Sequence, residues 1–164
     1  MPDAISDLVS PPIAIDAAWI DAYGHMNMAE YVRLFDTQCG RLLDRLDIGD
    51  AYTARARRGL FVLDVAVNYR RELVVGDVVR VELRLIEADD KRLVSLMALR
   101  DQADGEIVAT QEQLAIHTDL DARRVTAFTP EQRERLAAAV ARQAALPLPA
   151  RHVRRFRAGP RQAG

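Results

Sequence analysis

Three polar side chains within seven residues, Asp21, His25 and Asn27, enclose a glycine, Gly24, and carry most of the chemistry this sequence offers. Apolar residues at helical spacing begin directly after Asn27. A carboxylate in front of a helix start lies near backbone N–H groups that have no intrahelical partner, at the positive end of the helix dipole. N–H groups that face a substrate carbonyl polarise it and stabilise the oxyanion formed on attack. The acid beside them can attack the carbonyl carbon itself or activate water. The alternative is that Asp21 only hydrogen-bonds the turn while Gly24 serves a tight loop. Residue types alone leave both readings open.

Little else in the chain competes for a chemical role. His25, His117 and His152 are far apart, and the single Cys39 adds nothing to a zinc set, so no metal is expected. No GxGxxG or Walker pattern occurs, and no nucleotide cofactor is implied. Ser6, Ser10 and Ser95 are the only serines, and none lies in a glycine-flanked elbow.

The elements that must position Asp21 can be read from periodicity. Ile13, Ile15 and Ala17 alternate as a first strand. Met28, Val32, Phe35, Cys39, Leu42 and Leu46 follow at spacings of 4, 3, 4, 3 and 4, one face of a helix of about five turns. Asn27 and Glu30 have capping-box spacing, Gly49 lies past the helix end, and Gly40 inside it implies close approach to a packed surface. Residues 50–58 read as a basic, polar loop. Four strands then follow: an alternating run from Phe61 to Tyr69, one from Val79 to Leu85 after the Gly76-Asp77 turn, one from Leu93 to Leu99, and one from Ile107 to Thr118 beyond the Asp104-Gly105 hairpin. Thr129, Pro130 and Gln132 supply a cap, a first-turn proline and a capping-box partner for a short helix ending near Ala145. A strand, a long helix, a meander and a terminal helix make an α+β chain, a central helix wrapped by an antiparallel sheet of five to six strands. The second face of that sheet lacks helix to cover it, which predicts a partner subunit.

At 164 residues, 49% hydrophobic and 29% charged, the chain fits one domain with a substantial core. We expect a flexible N-terminus over 1–11, a folded domain over 12–146 and a disordered basic tail over 147–164. A net charge of -1 gives no reason to expect nucleic acid, and no apolar run suits a membrane span. With no signal-peptide pattern and an unpaired Cys39 in apolar surroundings, a cytoplasmic location is expected. The basic tail also allows a second reading, in which it reaches a phosphorylated ligand.

Asp21, Gly24, His25, Met26, Asn27, Met28 and Tyr31, the long helix behind them, and the run from Asn68 through Glu72 to Gly76-Asp77 resemble the hotdog-fold acyl-CoA thioesterases. Within these the chain is similar to the 4-hydroxybenzoyl-CoA thioesterase branch, over roughly residues 12–130. The resemblance implies that Asp21 is the catalytic carboxylate and that the first turn of the helix, at Met28 or a neighbour, supplies the polarising N–H. It also implies a homodimer or dimer of dimers, an acyl-CoA substrate in a channel at the subunit interface, and no cofactor beyond the CoA of the substrate. His25-Met26-Asn27 departs from the more apolar run of that branch.

Further candidates surround this centre. His25 orients Asp21 or is a structural histidine, and Asn27 caps the helix. Asp64 and Asn68 share a strand face that a partner could present to the site, and Arg70 and Arg71 could meet a CoA phosphate. Trp19, Tyr23, Tyr31, Phe35, Phe61 and Tyr69 are six of the nine aromatics and cluster around the site in sequence. Aromatic rings beside a carboxylate suit a quaternary ammonium group. The stretch is also similar to thioesterases of carnitine breakdown, which implies betainyl-CoA as substrate. Two rival classes remain: a hotdog hydratase-dehydratase working through His25 or His117, and a module that binds CoA esters without cleaving them.

Overall fold

The computed structural model describes residues 8–159. Strand β1 spans Ile13–Ala14, helix α1 Met28–Leu43, helix α2 Asp50–Ala56 and strand β2 Arg58–Tyr69. Strands β3 (Val78–Ala88), β4 (Arg92–Asp101), β5 (Ile107–Asp119) and β6 (Arg124–Val125) precede helix α3 (Pro130–Gln143). The sheet is antiparallel, in the order β1-β3-β4-β5-β2, with β6 paired to β5. α1 lies across one face of it, as the resemblance implies.

Alternation along β3 and β4 sends Val79, Val81, Leu83, Leu85, Met97 and Leu99 toward α1, whose Tyr31, Leu34, Phe35, Cys39, Leu42 and Leu43 complete the core. Burying one such side chain contributes about 1.5–3 kcal/mol. The buried stripe of α1 is rotated from the one the spacing predicts. Met28 is 65% exposed, whereas Tyr31, Leu34 and Gln38 are buried. The regular helix ends at Leu43, and a 3-10 turn at Asp44–Leu46 carries the chain on. Burial pushes the Cys39 thiol up to about 12.

Several local readings change. β1 is only two residues long, because Ala17–Trp19 forms a 3-10 turn capped by Asp16. The capping box at Asn27 and Glu30 is not made: Asn27 caps the Ala29 N–H alone, while Glu30 pairs with Arg33 at 2.5 Å. The stretch 50–58 read as loop is mostly helix, entered at Asp50 and anchored by the buried Tyr52. At the capping box of α3 the sequence reading holds, with Thr129 and Gln132 exchanging hydrogen bonds.

Both segments read as loose ends have ordered parts. Leu8 is 4% exposed, and the Ser10 N–H donates to Val81 O at 2.8 Å; residues 1–7 lie outside the described residues. Residues 147–159 cross the sheet face opposite α1, and residues 160–164 lie outside the described residues. Val94, Leu96 and Ala98 on that face are buried. The chain's own C-terminal segment therefore covers much of the face that seemed to need a partner.

The candidate active site at the start of the long helix

The Asp21 loop is a tight hairpin closed by an Ile20–Met26 bridge. The Asp21 N–H donates to His25 O at 3.1 Å, and the Gly24 N–H returns to Asp21 O at 3.0 Å. Gly24 sits at φ +85°, a left-handed conformation that disfavours side chains, although space around it is open. Two bonds tie the loop to its surroundings: the Met26 N–H donates to Leu73 O at 2.7 Å and the Asn27 N–H to Trp19 O at 2.9 Å.

Asn27 couples acid to helix. Its side-chain oxygen accepts the Ala29 N–H at 2.9 Å, and its amide nitrogen donates to Asp21 Oδ2 at 3.4 Å. Asp21 Oδ1 takes the Tyr23 N–H at 2.8 Å. The Glu30 N–H is satisfied by Asn27 O at 2.9 Å. Of the first three amides of α1, then, only that of Met28 has no acceptor among the described residues. It is an orphan donor beside the acid.

A hollow of about 470 Å³ brings together Asp21, His25, Met26, Met28, Tyr31, Tyr69, Arg70, Arg71 and Glu72. The Tyr69 hydroxyl donates to Met28 O at 3.0 Å, pinning the end of β2 to the first turn of α1. Its ring meets that of Tyr31 edge-on at 5.2 Å, and Tyr31 donates to Arg71 O at 3.3 Å. Burial pushes both phenols up, Tyr31 within a helix-to-sheet contact and Tyr69 at the hollow's wall. The guanidinium of Arg71 is held by Asp101 and Asp104, so it is not a free phosphate ligand. Arg70 Nε donates to Asn68 at 3.2 Å.

The remaining candidates sort by position. His25 stacks on the exposed Tyr23 ring at 6.2 Å and lies 3.8 Å from Glu72, which fits a residue that holds the loop. Trp19 packs at the edge of the core under the Arg33 guanidinium, 5.2 Å from its ring centre. Phe35 is fully buried. Phe61, Asp64 and Asn68 alternate onto the face of β2 away from α1, paired with Ile116, Leu114 and Thr110, and within one chain they do not meet Asp21. Glu72 and Met26 line the hollow too, although the sequence offered them only as members of the motifs and not as site residues. Glu72 sat inside the Asn68–Asp77 motif, but only folding shows it opposite His25. No three potential metal-ligating side chains converge among the described residues.

His117 cannot take the role that a hydratase reading gives it. It is fully buried, with Nε2 3.0 Å from the Tyr52 hydroxyl and Nδ1 3.1 Å from Thr126 O, stacked on Phe128. Burial pushes its pKa down and favours the neutral ring.

Comparison with known proteins gives this geometry a family. A betainyl-CoA thioesterase of Pseudomonas aeruginosa is 30% identical over 131 residues, covering 80% of this chain and 82% of that protein. The L-carnitine dehydrogenase/betainyl-CoA thioesterase of Rhizobium meliloti is 29% identical over 120 residues, 73% of this chain; the matched part spans 24% of that longer relative. A Staphylococcus aureus protein solved in complex with CoA shares the fold, with a TM-score of 0.79 and 24% identity over 92% of this chain and 95% of the other. The shared architecture of this chain is the hotdog fold, a long helix wrapped by a curled antiparallel sheet. The acid, the capped helix start and the edge strand all fall inside residues 15–136, the span matched by the profile of the thioesterase-like superfamily, and the chain belongs to that superfamily.

Proposed function

We propose that this chain hydrolyses an acyl-CoA thioester to the free acid and CoA, with Asp21 as its reactive carboxylate and the Met28 N–H as oxyanion donor. The observation that carries the reading is the single open amide at the start of α1, in one hollow with Asp21. Acting as base, Asp21 takes a proton from water while the water oxygen attacks the thioester carbon. The carbonyl oxygen becomes an oxyanion facing Met28 N–H. Collapse breaks the C–S bond, and the proton held by Asp21 passes to the departing CoA sulfur. Acting as nucleophile, Asp21 forms an anhydride that water opens, with the same products. CoA is part of the substrate, and no other cofactor enters.

Asp21→Asn keeps an acceptor for the Tyr23 N–H but cannot take a proton. Its kcat on an acyl-CoA panel is expected to fall by about 10²–10⁴-fold, while His25→Ala retains hydrolysis. Unchanged turnover in Asp21→Asn removes the mechanism. Loss of activity in His25→Ala, with Asp21→Asn active, favours the hydratase reading. Binding of CoA esters without release of thiol by the unaltered chain leaves only the binding module.

A small cationic acyl group is the substrate we favour. Two relatives are named betainyl-CoA thioesterases, and the hollow offers the carboxylates of Asp21 and Glu72 beside the rings of Tyr31 and Tyr69. Trp19, Phe35 and Phe61 stand outside it, so the cage is smaller than the sequence suggests. Betainyl-CoA is expected to exceed acetyl- and benzoyl-CoA in kcat/KM by about tenfold, roughly 1.4 kcal/mol of preference. Equal values for the three esters discard it.

The working unit is proposed to be a homodimer joined through β2. The β3 edge is closed by β1, by the Ser10 segment and by the Gln143 amide bonding Leu83 O and Leu85 N. β2 is the open edge, and its Phe61, Val62, Leu63, Val65 and Tyr69 are exposed. Asp64, Asn68 and Phe61 stand on that strand and could serve the Asp21 site only through the second copy. A dimer of dimers remains the larger form of the same proposal. No helix among the described residues is long and apolar enough to cross a membrane, and CoA chemistry with an unpaired buried thiol suits the cytoplasm.

A further inference from the structure

We infer that the C-terminal strap forms the binding site for the phosphorylated adenosine end of CoA, with Arg155 and Arg157 as phosphate ligands and Phe156 as an apolar wall. This rests on the thioesterase reading and adds to it a site that the Asp21 hollow does not contain.

The strap is held in place by a buried carboxylate. Glu112 is 1% exposed on the face of the sheet away from α1. It accepts the Arg155 N–H at 3.1 Å, the Phe156 N–H at 2.9 Å and Arg154 Nε–H at 3.3 Å, while His152 Nε2 lies 3.0 Å away without a hydrogen bond. A lone buried carboxylate is costly unless it is bonded in this way. Two further clamps fix the ends. Arg84 donates to the carbonyls of Gln143, Leu146 and Pro147, and Arg92 to Ala158 O at 3.0 Å. Backbone pinned at consecutive amides presents the side chains between them with little freedom left to lose on binding.

Between this strap and the sheet lies a hollow of about 1130 Å³. Its floor is Leu63, Leu114 and Ile116, and its rim carries Arg92, Arg155, Phe156 and Arg157 together with the carboxylates of Asp64 and Glu87. Its charges are not balanced. Arg92 is spent on Asp89, and Glu87 is shared between Arg154 at 3.3 Å and Arg157 at 4.0 Å. The guanidinium of Arg155 has no partner among the described residues. An apolar floor beside one unpaired guanidinium, that of Arg155, and a second, that of Arg157, held only loosely by Glu87 at 4.0 Å suits a planar base carrying phosphates, because phosphate accepts paired N–H donors from arginine.

The position also fits. Asp64 stands at this hollow and Tyr69 at the Asp21 hollow, five residues apart on β2, or about 17 Å at 3.3 Å per residue. The extended pantetheine arm that joins nucleotide to thioester is of that order, and because Tyr69 is the last residue of β2 the arm would pass around the end of the strand, not across the edge proposed to join two copies.

The test compares two thioesters of one acyl group, the CoA ester and the N-acetylcysteamine ester, which lacks the nucleotide. For Arg155→Ala/Arg157→Ala, the KM of the CoA ester is expected to rise about tenfold with kcat held, so that its kcat/KM advantage over the short ester falls about tenfold. Glu112→Gln, which loosens the pin, is expected to lose the same advantage in smaller degree. Adenosine 3′,5′-bisphosphate is expected to compete with the CoA ester and to bind the double variant about tenfold more weakly by calorimetry. Equal losses on both esters, or no loss on either, overturn the inference, as does unchanged binding of the bisphosphate. Should the unaltered chain cleave neither ester, the thioesterase reading fails, and the calorimetric comparison still decides the nucleotide site.

Discussion

At the scale of single residues, Asn27 joins the two halves of the proposed chemistry. One end of its amide caps α1 and the other holds Asp21, so a residue read as a helix cap is also a positioning residue. Asn27→Ala is expected to cost about 1 kcal/mol of stability from the lost cap. It is also expected to lower kcat by about tenfold, because a slightly misplaced carboxylate loses effective molarity. Thermal melting and steady-state kinetics on the same preparation separate the two. Unchanged kcat with a lowered Tm leaves Asn27 a cap alone. Tyr69 shows what periodicity misses. Its hydroxyl bonds the backbone of a residue 41 positions earlier, and no local pattern specifies that contact.

At the scale of elements, the joint between α1 and α2 sets where the long helix can lie. A Cβ on Gly49 would meet the Gly40 carbonyl oxygen at 2.1 Å and the Asp44 backbone nitrogen at 2.4 Å. On Gly40 the nearest atoms it would meet belong to the Asp50 carboxylate, a side chain. Backbone cannot swing aside as a side chain can. Gly49→Ala is therefore expected to destabilise by about 1–3 kcal/mol, the range of overpacked sites, and Gly40→Ala by less. Denaturant midpoints for the two variants give the order, and a larger loss for Gly40→Ala contradicts it. Gly40 was read as a point of close approach, and it is one. The partner surface was not legible, because α2 was hidden in a stretch whose polar, arginine-bearing composition suits a loop as well as an exposed helix. Its single buried aromatic, Tyr52, gives almost no periodic signal.

At the scale of the whole molecule, one edge of the sheet is closed and the other is open. β1, Ser10 and Gln143 occupy the β3 side, leaving β2 with exposed apolar residues on both its faces. Edge strands of this kind pair with other chains unless charge blocks them. Val65→Lys, near the middle of β2, is expected to halve the molar mass measured by light scattering from two chains to one. An unaltered mass in that variant places the contact elsewhere. The outer face carries the opposite lesson. Its lack of a covering helix predicted a partner, yet the chain's own strap lies over it and Val94, Leu96 and Ala98 are buried, because Glu112 gathers arginine and backbone N–H groups that composition alone marks as a disordered tail.

The sequence by itself determined the order of the long helix, the four main strands and the terminal helix, the capped start of α1 and the acid in front of it. Each of these is a local property: period, cap chemistry and turn residues act over fewer than about ten positions. Only the tertiary structure decided which amide of α1 stays open, which aromatics share the hollow with Asp21, that His117 is sealed away, and that the tail is a strap. Those outcomes depend on contacts between residues tens of positions apart. Their energies come from burial and from the need to satisfy each buried polar group, and a single chain read in order does not reveal its distant partners.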